Sequence, residues 1–184
     1  VFLRGLSFHL FDGQVAAEGK VTSGSETPPF NGTLTIQGMQ LGPALNAMAT
    51  TQVSISGTAG ANLNVQGHGF SMPDLTKSLE GTGHVAVKDG KIEGVNLLQE
   101  AFSILNIACI SLTDAKATAF STIETDLAIQ HGTVYVQRLL MDSHDFQATG
   151  GGTIGFDQRL NLAVNLNLSQ ELSQKIARSS PAAK

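Results

Sequence analysis

The segment from Leu160 to Leu168, LNLAVNLNL, constrains the fold of this chain more than any other stretch. Its even positions are all aliphatic, its odd positions are asparagine or alanine, and none of them is charged. A period of two is the spacing of a β-strand, so the segment predicts a strand with one apolar face and one polar, neutral face. The function of the chain depends on what that apolar face contacts.

Similar alternation recurs between turn signals along the chain. Turn-forming residues stand beside glycine at Asp12-Gly13, Asn31-Gly32, Asp89-Gly90 and His131-Gly132, and each pair predicts a hairpin. A last hairpin is predicted at 156–159. Together these signals predict roughly ten to twelve strands of about five or six residues or slightly more. Charged residues make up only 14% of the chain, which suits an all-β protein with many tight turns.

Short helices are predicted in a few places. Asn96 and Gln99 have the spacing of a capping box, which predicts a helix beginning after Asn96. Pro43, Pro73 and Ser169 mark three further helix starts. The apolar residues at helical spacing after Asn96 are predicted to cover the core; they are Leu97, Leu98, Ala101, Phe102 and Leu105.

These elements predict a mainly β protein with a curved, twisted, antiparallel-rich sheet, shaped as a groove or partly closed barrel. A few short helices would cover its apolar face. No linker divides the chain, so we expect one domain over residues 1–184, with residues 179–184 as a frayed tail. The start at Val1 suggests an excised fragment of a larger protein. The chain has no 18-residue apolar span, so no transmembrane helix is predicted in it.

Residues able to carry chemistry are sparse. Neighbours on a strand point to opposite faces, so we expect His144 and Asp145 not to act as a dyad but to be solvated residues at a turn. The glycines at 150–152 lack a following lysine and helix, which indicates a strand bend or bulge. Cys109, within an apolar run, is predicted to be buried. We therefore predict no enzyme activity, catalytic residue, metal or cofactor. A net charge of −4 without a basic stripe argues against nucleic acid.

Two segments resemble a known family. They are SLEGTGHVAVKDGKIEGVNLLQEAF, Ser78 to Phe102, and LLMDSHDFQATGGGTIGFDQRLNLAVNLNLS, Leu139 to Ser169. The order of their glycine and apolar positions is similar to the C-terminal region of AsmA family proteins, the AsmA/TamB-like envelope proteins of Gram-negative bacteria. The upstream segments LFDGQVAAEGKV and PFNGTLTIQGMQLGPALNAMA fit the same pattern, so the resemblance covers nearly the whole chain.

The resemblance implies a long protein that is anchored in the inner membrane by one helix outside this chain and otherwise lies in the periplasm. Relatives of this kind are expected to form β-rich grooves that carry phospholipids toward the outer membrane or assist outer-membrane assembly. The family brings no catalytic residues with it.

The apolar face of LNLAVNLNL needs a cover. Burying its five aliphatic side chains contributes about 7–15 kcal/mol, as much as the net stability of a whole domain, about 5–15 kcal/mol. A bilayer is disfavoured, because outer-membrane strands carry aromatic girdles and this chain has no Trp and one Tyr. The remaining covers are the domain's own core and an acyl chain, whose ~16 carbons offer about 12 kcal/mol gross.

We therefore expect a non-enzymatic periplasmic module that binds or conducts phospholipid acyl chains between the two membranes and supports outer-membrane biogenesis. The alternative is a structural module that caps a β-groove and docks an envelope assembly protein through a sheet edge, without binding lipid itself. A glycan-binding sandwich is disfavoured by the scarcity of Trp and Tyr. The candidate groove residues are Val85, Val87, Ile92, Leu127, Ile129, Val134, Val136, Leu160, Leu162, Val164, Leu166 and Leu168.

Overall fold

The structure is a computed structural model that describes residues 1–48, 54–104, 116–157 and 159–179. Within these ranges the chain forms nine strands and four helices. The strands are β1 (Phe2–Leu10), β2 (Gly13–Val21), β3 (Pro29–Gln40), β4 (Ser54–His68), β5 (Glu80–Glu93), β6 (Ala117–Gln130), β7 (Thr133–Asp142), β8 (Phe146–Gly155) and β9 (Leu160–Leu168). The helices are α1 (Leu41–Met48), α2 (Met72–Ser78), α3 (Leu97–Ile104) and α4 (Gln170–Ser179).

All nine strands belong to one antiparallel sheet in which each strand pairs with the next along the chain. β1 and β9 are the two edges and do not pair with each other, so the sheet is open. The prediction of a mainly β, antiparallel protein with a few short helices is confirmed, and the sheet is not closed into a barrel.

The strands are fewer and longer than predicted, because two predicted turns lie inside strands. Asn31-Gly32 is part of β3, and Asp89-Gly90 is part of β5. Asp89 has a φ of 50°, yet it bends the strand without reversing it. Between the pairs Ser56–Lys91 and Thr58–Lys88, two residues of β5 face one residue of β4, which is the pattern of a β-bulge.

Two other turn predictions are confirmed. Phe11 and Asp12 join β1 to β2 with φ values of 49° and 62°, and His131 and Gly132 join β6 to β7 with 47° and 74°. Positive φ at both central residues is the backbone of the two-residue hairpins that match the twist of the strands. The predicted hairpin between β8 and β9 also forms.

Helices α3 and α4 begin directly after their predicted capping residues, Asn96 and Ser169. Asn96 Oδ1 accepts a hydrogen bond from the Gln99 amide at 3.1 Å, and Ser169 Oγ accepts one from the Leu172 amide at 3.2 Å. β3, β5 and β9 run in the same direction, so α1, α3 and α4, which follow them, lie at one end of the sheet, the helical end. α2 follows β4 and lies at the opposite end.

The core lies between the helical end of the sheet and the helices. Its buried residues are Ala59, Val87, Leu98, Phe102, Phe120, Met141, Phe146, Ala148 and Leu172. None of the large side chains in the described ranges is completely buried. The accessible surface of the chain is 11949 Å², against about 8,400 Å² for a globular monomer of this mass. Much of the sheet is therefore uncovered.

Several predictions stay open. The place of Leu105 in the helical stripe, the burial of Cys109 and the frayed state of residues 180–184 lie outside the described residues. The single domain over residues 1–184, cut from a larger protein, also stays a prediction.

Candidate functional site: the apolar face of the sheet

Strand pairing aligns apolar residues into rows that cross the whole sheet. Residues directly opposite each other in antiparallel strands project to the same face. The middle row takes one residue from each strand and is apolar except at Thr125. Its members are Phe8, Val15, Ile36, Ala61, Val85, Thr125, Leu139, Gly150 and Val164.

Two more rows lie on the same face, farther from the helical end, and they contain only aliphatic residues and glycine. The second row is Leu6, Ala17, Leu34, Leu63, Gly83, Leu127, Val136, Gly152 and Leu162; the third is Leu3, Gly19, Gly32, Val65, Gly81, Ile129, Val134, Ile154 and Leu160. At about 4.8 Å per strand, each row spans about 38 Å. We call these three rows the open apolar face.

All twelve predicted groove residues project from this side of the sheet, but the structure divides them into two groups. The first group belongs to the open apolar face and comprises Val85, Leu127, Ile129, Val134, Val136, Leu160, Leu162 and Val164. The second group lies at the helical end: Val87 is part of the core, and Ile92, Leu166 and Leu168 pack against it. Val136 of the first group is itself buried, at 7% exposed, so the other seven are the residues placed to contact a ligand without displacing buried side chains.

Strand β9 shows this division within nine residues. Leu166 and Leu168 pack against the core. Leu160 and Val164, on the same face, are 65% and 46% exposed. The apolar face of LNLAVNLNL is thus covered by protein at one end of the strand and uncovered at the other.

Among the described residues, the predicted helical cover lies at the helical end of the sheet. Leu98 and Phe102 of α3 are 6% and 7% exposed and belong to the core, with Leu97 packed against it and Ala101 half-buried. Leu172 of α4 completes this cover.

A buried hydroxyl fixes α3 to the sheet. Thr118 on β6 is 5% exposed, and its Oγ1 accepts a hydrogen bond from the Leu97 amide at 3.0 Å and donates one to the Val95 carbonyl at 2.9 Å. Sequence reasoning missed this residue, because a single threonine in a strand gives no signal of a partner 21 positions away.

Sequence reasoning also missed the contribution of the first strands. Every residue of β1 is exposed, and Leu3, Leu6, Phe8 and Leu10 present 41–46% of their surface to solvent. The alternation in β3 and β4 predicted strands, but the aliphatic residues of these strands were not named as groove candidates. These residues are Leu34, Ile36, Leu63 and Val65.

One polar atom interrupts the open apolar face. Thr125 Oγ1 is buried and has no hydrogen-bond partner among the described residues. It stands in the middle row between Val85 and Leu139. The face therefore presents no charge and no exposed polar anchor along its middle.

The opposite face is polar and carries a charge ladder over three strands. His84 Nδ1 and Asp126 Oδ1 are 2.8 Å apart, and Arg138 Nε donates to Asp126 Oδ2 at 2.8 Å. The hydrogen bond with His84, together with Arg138, lowers the pKa of Asp126. A shallow trough of about 630 Å³ on this face is lined by amides and hydroxyls, among them Asn64 and Gln66.

His144 and Asp145 are solvated residues at a turn, as expected, but the prediction that they point apart as neighbours on a strand is wrong. His144 Nδ1 and Asp145 Oδ1 are in contact at 3.0 Å, because both residues lie in the bend between β7 and β8 and not on a strand. The hydrogen bond to Asp145 raises the pKa of His144, and the charges of Asp145 and Glu171 act in the same direction. His144 is 83% exposed, so the pair is solvated.

The described ranges contain neither a cluster of metal ligands nor a membrane-spanning helix. No three His, Cys, Asp or Glu side chains there are grouped as a metal site requires. No helix among the same residues has both the length and the hydropathy to span a bilayer.

Comparison with known proteins gives one family. A sequence model of the AsmA family matches residues 1–139. The match ends within β7, so β8, β9 and α4 lie beyond it, as does the resemblance noted over Leu139–Ser169. No curated protein and no solved structure gives a significant match.

Proposed function

The chain belongs to the AsmA family, and on that premise we propose that it is a non-enzymatic envelope module that holds phospholipid acyl chains on its open apolar face. Family membership fits an envelope-related function. The finer role, conduction of phospholipid between the inner and outer membranes in support of outer-membrane biogenesis, is part of the proposal. So is a location on the periplasmic side of the inner membrane of a Gram-negative bacterium, with the anchor outside this chain.

The observation that carries the proposal is the set of three apolar rows, most of whose members are half-buried or exposed, although Val15, Ala61 and Val136 are buried. Leu160 and Val164 alone expose 65% and 46% of their surface, and β1 exposes four more apolar side chains on the same face. Contiguous apolar surface of this extent marks a binding site or an interface. An acyl chain is a suitable ligand, because it gains about 0.8 kcal/mol per buried methylene and requires no polar partner.

The open geometry suits a lipid better than a small polar ligand. The rows continue from one sheet edge to the other without a charged residue. A lipid tail could therefore occupy any part of the face while its headgroup stays in water. Movement along the rows would break no specific polar contact, which is the property that a conducting surface needs.

The experiment is native mass spectrometry of the purified chain after incubation with phosphatidylethanolamine vesicles, with extraction and identification of the bound lipid. We expect the unmodified chain to carry lipid and Leu162→Asp to carry little, because the new carboxylate would lie on the open apolar face. Asn161→Asp is the matched control: it adds the same charge one residue away on the polar face, and we expect it to retain lipid.

Circular dichroism would verify that both variants are folded. A lipid-free unmodified chain, or equal loss of lipid in both variants, would contradict the proposal. The alternative role, docking of an envelope assembly protein without lipid, would then be preferred. Its specific support is β1, an edge strand that is exposed along its whole length.

A further inference from the structure

Strand β9 is a sheet edge without the usual protection against pairing. Natural edge strands carry charges, prolines or bulges that prevent another strand from adding to them. β1, the other edge, has Arg4 and a register irregularity between Leu3 and Leu6, next to Gly5 with a φ of 68°. β9 has no charge, proline or glycine, and its pairing with β8 is regular throughout.

The sequence of β9 is nearly the same in both directions. LNLAVNLNL reads LNLNVALNL in reverse, and the two differ only at Ala163 and Asn165. In an antiparallel pair, one strand meets the other in reverse order. Two copies of β9 centred on Val164 would therefore place leucine opposite leucine at Leu160–Leu168 and Leu162–Leu166, and asparagine opposite asparagine at 161 and 167.

We propose that β9 pairs with β9 of a second copy of this chain, antiparallel and centred on Val164. The contact is two-fold symmetric, with the same surface on both subunits. Apolar side chains then meet apolar side chains on one face. The middle row continues through the two Val164 residues, whereas Leu160 and Leu162 meet Leu168 and Leu166 at the helical end of the partner subunit. A slip of one residue would place leucine opposite asparagine. Registers that differ from the proposed one by an odd number of residues are therefore disfavoured.

The surroundings of β9 leave room for this partner. Leu172 of α4 is 4% exposed and belongs to the core, so the helix that follows β9 folds back over its own sheet. The side chains that would gain neighbours are those now exposed, Leu160 at 65% and Val164 at 46%. The pairing does not depend on lipid binding, and its test is independent of the lipid experiment.

The first test is disulfide formation. In the proposed register the two Val164 residues face each other at about 4.5–5.5 Å between Cα atoms, within disulfide range. The two Leu162 residues are four positions apart along the strand direction, at about 13 Å. Oxidation should convert Val164→Cys to covalent dimer and leave Leu162→Cys mostly monomeric, with the unmodified chain as control for Cys109. Equal cross-linking of the two variants would overturn the proposal.

The second test changes charge at one cross-strand pair, measured by sedimentation equilibrium. Asn161→Lys with Asn167→Lys places like charges opposite each other and should raise the dimer dissociation constant by about tenfold or more. Asn161→Lys with Asn167→Glu places opposite charges there and should restore association. Circular dichroism would verify folding of both. The β9 interface would be refuted if the unmodified chain stayed monomeric at high concentration. It would also be refuted if the dimer dissociation constant were the same in both double variants as in the unmodified chain.

Discussion

At the scale of single residues, a few polar side chains decide how the helices and loops attach to the sheet. Thr118 is the clearest case, because its hydroxyl satisfies both the Leu97 amide and the Val95 carbonyl at the start of α3. Asn96, the predicted cap, satisfies the Gln99 amide. The two residues together hold the N-terminal end of α3.

Thr118→Val should lower the free energy of unfolding by about 1–3 kcal/mol, because a buried amide and carbonyl lose their partner while the side-chain shape is kept. Thr118→Ser, which retains the hydroxyl, should lose much less. Urea denaturation monitored by circular dichroism would measure both. Equal destabilisation by the two variants would show that the methyl group matters and the hydrogen bonds do not.

His144 gives a pH dependence whose sign follows from its contacts. Its pKa is raised, chiefly by the hydrogen bond to Asp145, so protonation is favoured in the folded chain. The resulting stabilisation is fully present below the ordinary histidine pKa of about 6.5 and is lost as pH rises through the raised value.

NMR titration of the His144 ring checks this expectation. Asp145→Asn should lower the pKa of His144 toward its ordinary value, and Glu171→Gln should lower it by a smaller amount, since Glu171 acts only through its charge. An unchanged pKa in Asp145→Asn would mean that the contact between the two side chains does not persist in solution.

At the scale of elements, β9 has two halves with different roles. Its aliphatic side chains are alike in sequence, but only those near Leu166 meet the core. Similarly, the Asp-Gly pairs of the chain look alike, yet Asp12-Gly13 closes a hairpin and Asp89-Gly90 makes a bulge within β5. The difference comes from the partner strands, because β4 and β6 continue to pair with β5 on both sides of Asp89.

Leu166→Asp should destabilise the chain by about 2–4 kcal/mol, because it brings a carboxylate into contact with the core. Leu162→Asp, on the same face of the same strand, should cost less than about 1 kcal/mol. Urea denaturation of the two variants would separate the covered half of β9 from the open half. Equal losses of stability would mean that Leu162 is also covered by protein.

At the scale of the whole molecule, the open sheet leaves an unusual amount of surface in water. The unfolded chain would have an accessible surface of about 27,800 Å², so unfolding would expose about 15,900 Å². Unfolding of a compact protein of the same mass would expose about 19,400 Å². The edge strand β1, exposed along its whole length, and the exposed residues of the open apolar face contribute to this deficit in burial. Both proposals above concern the surfaces that remain uncovered.

The urea m-value should accordingly be about four fifths of that expected for a compact domain of 184 residues, because m scales with the area exposed on unfolding. Denaturation monitored by circular dichroism, at a concentration where the chain is monomeric and lipid-free, gives the value. An m-value at or above the compact expectation would show that the apolar face is covered in solution.

The local features of this protein follow from short stretches of its sequence. The alternation of β9, the two-residue turns at Asp12 and His131 and the helix caps at Asn96 and Ser169 were all predictable, because each depends on residues within a few positions. The tertiary structure was needed to show which aliphatic side chains are covered and which backbone groups Thr118 hydrogen-bonds. It was also needed to show that His84 contacts Asp126, 42 positions away in the sequence. Those outcomes depend on the register between distant strands, which residue order along a single strand does not specify.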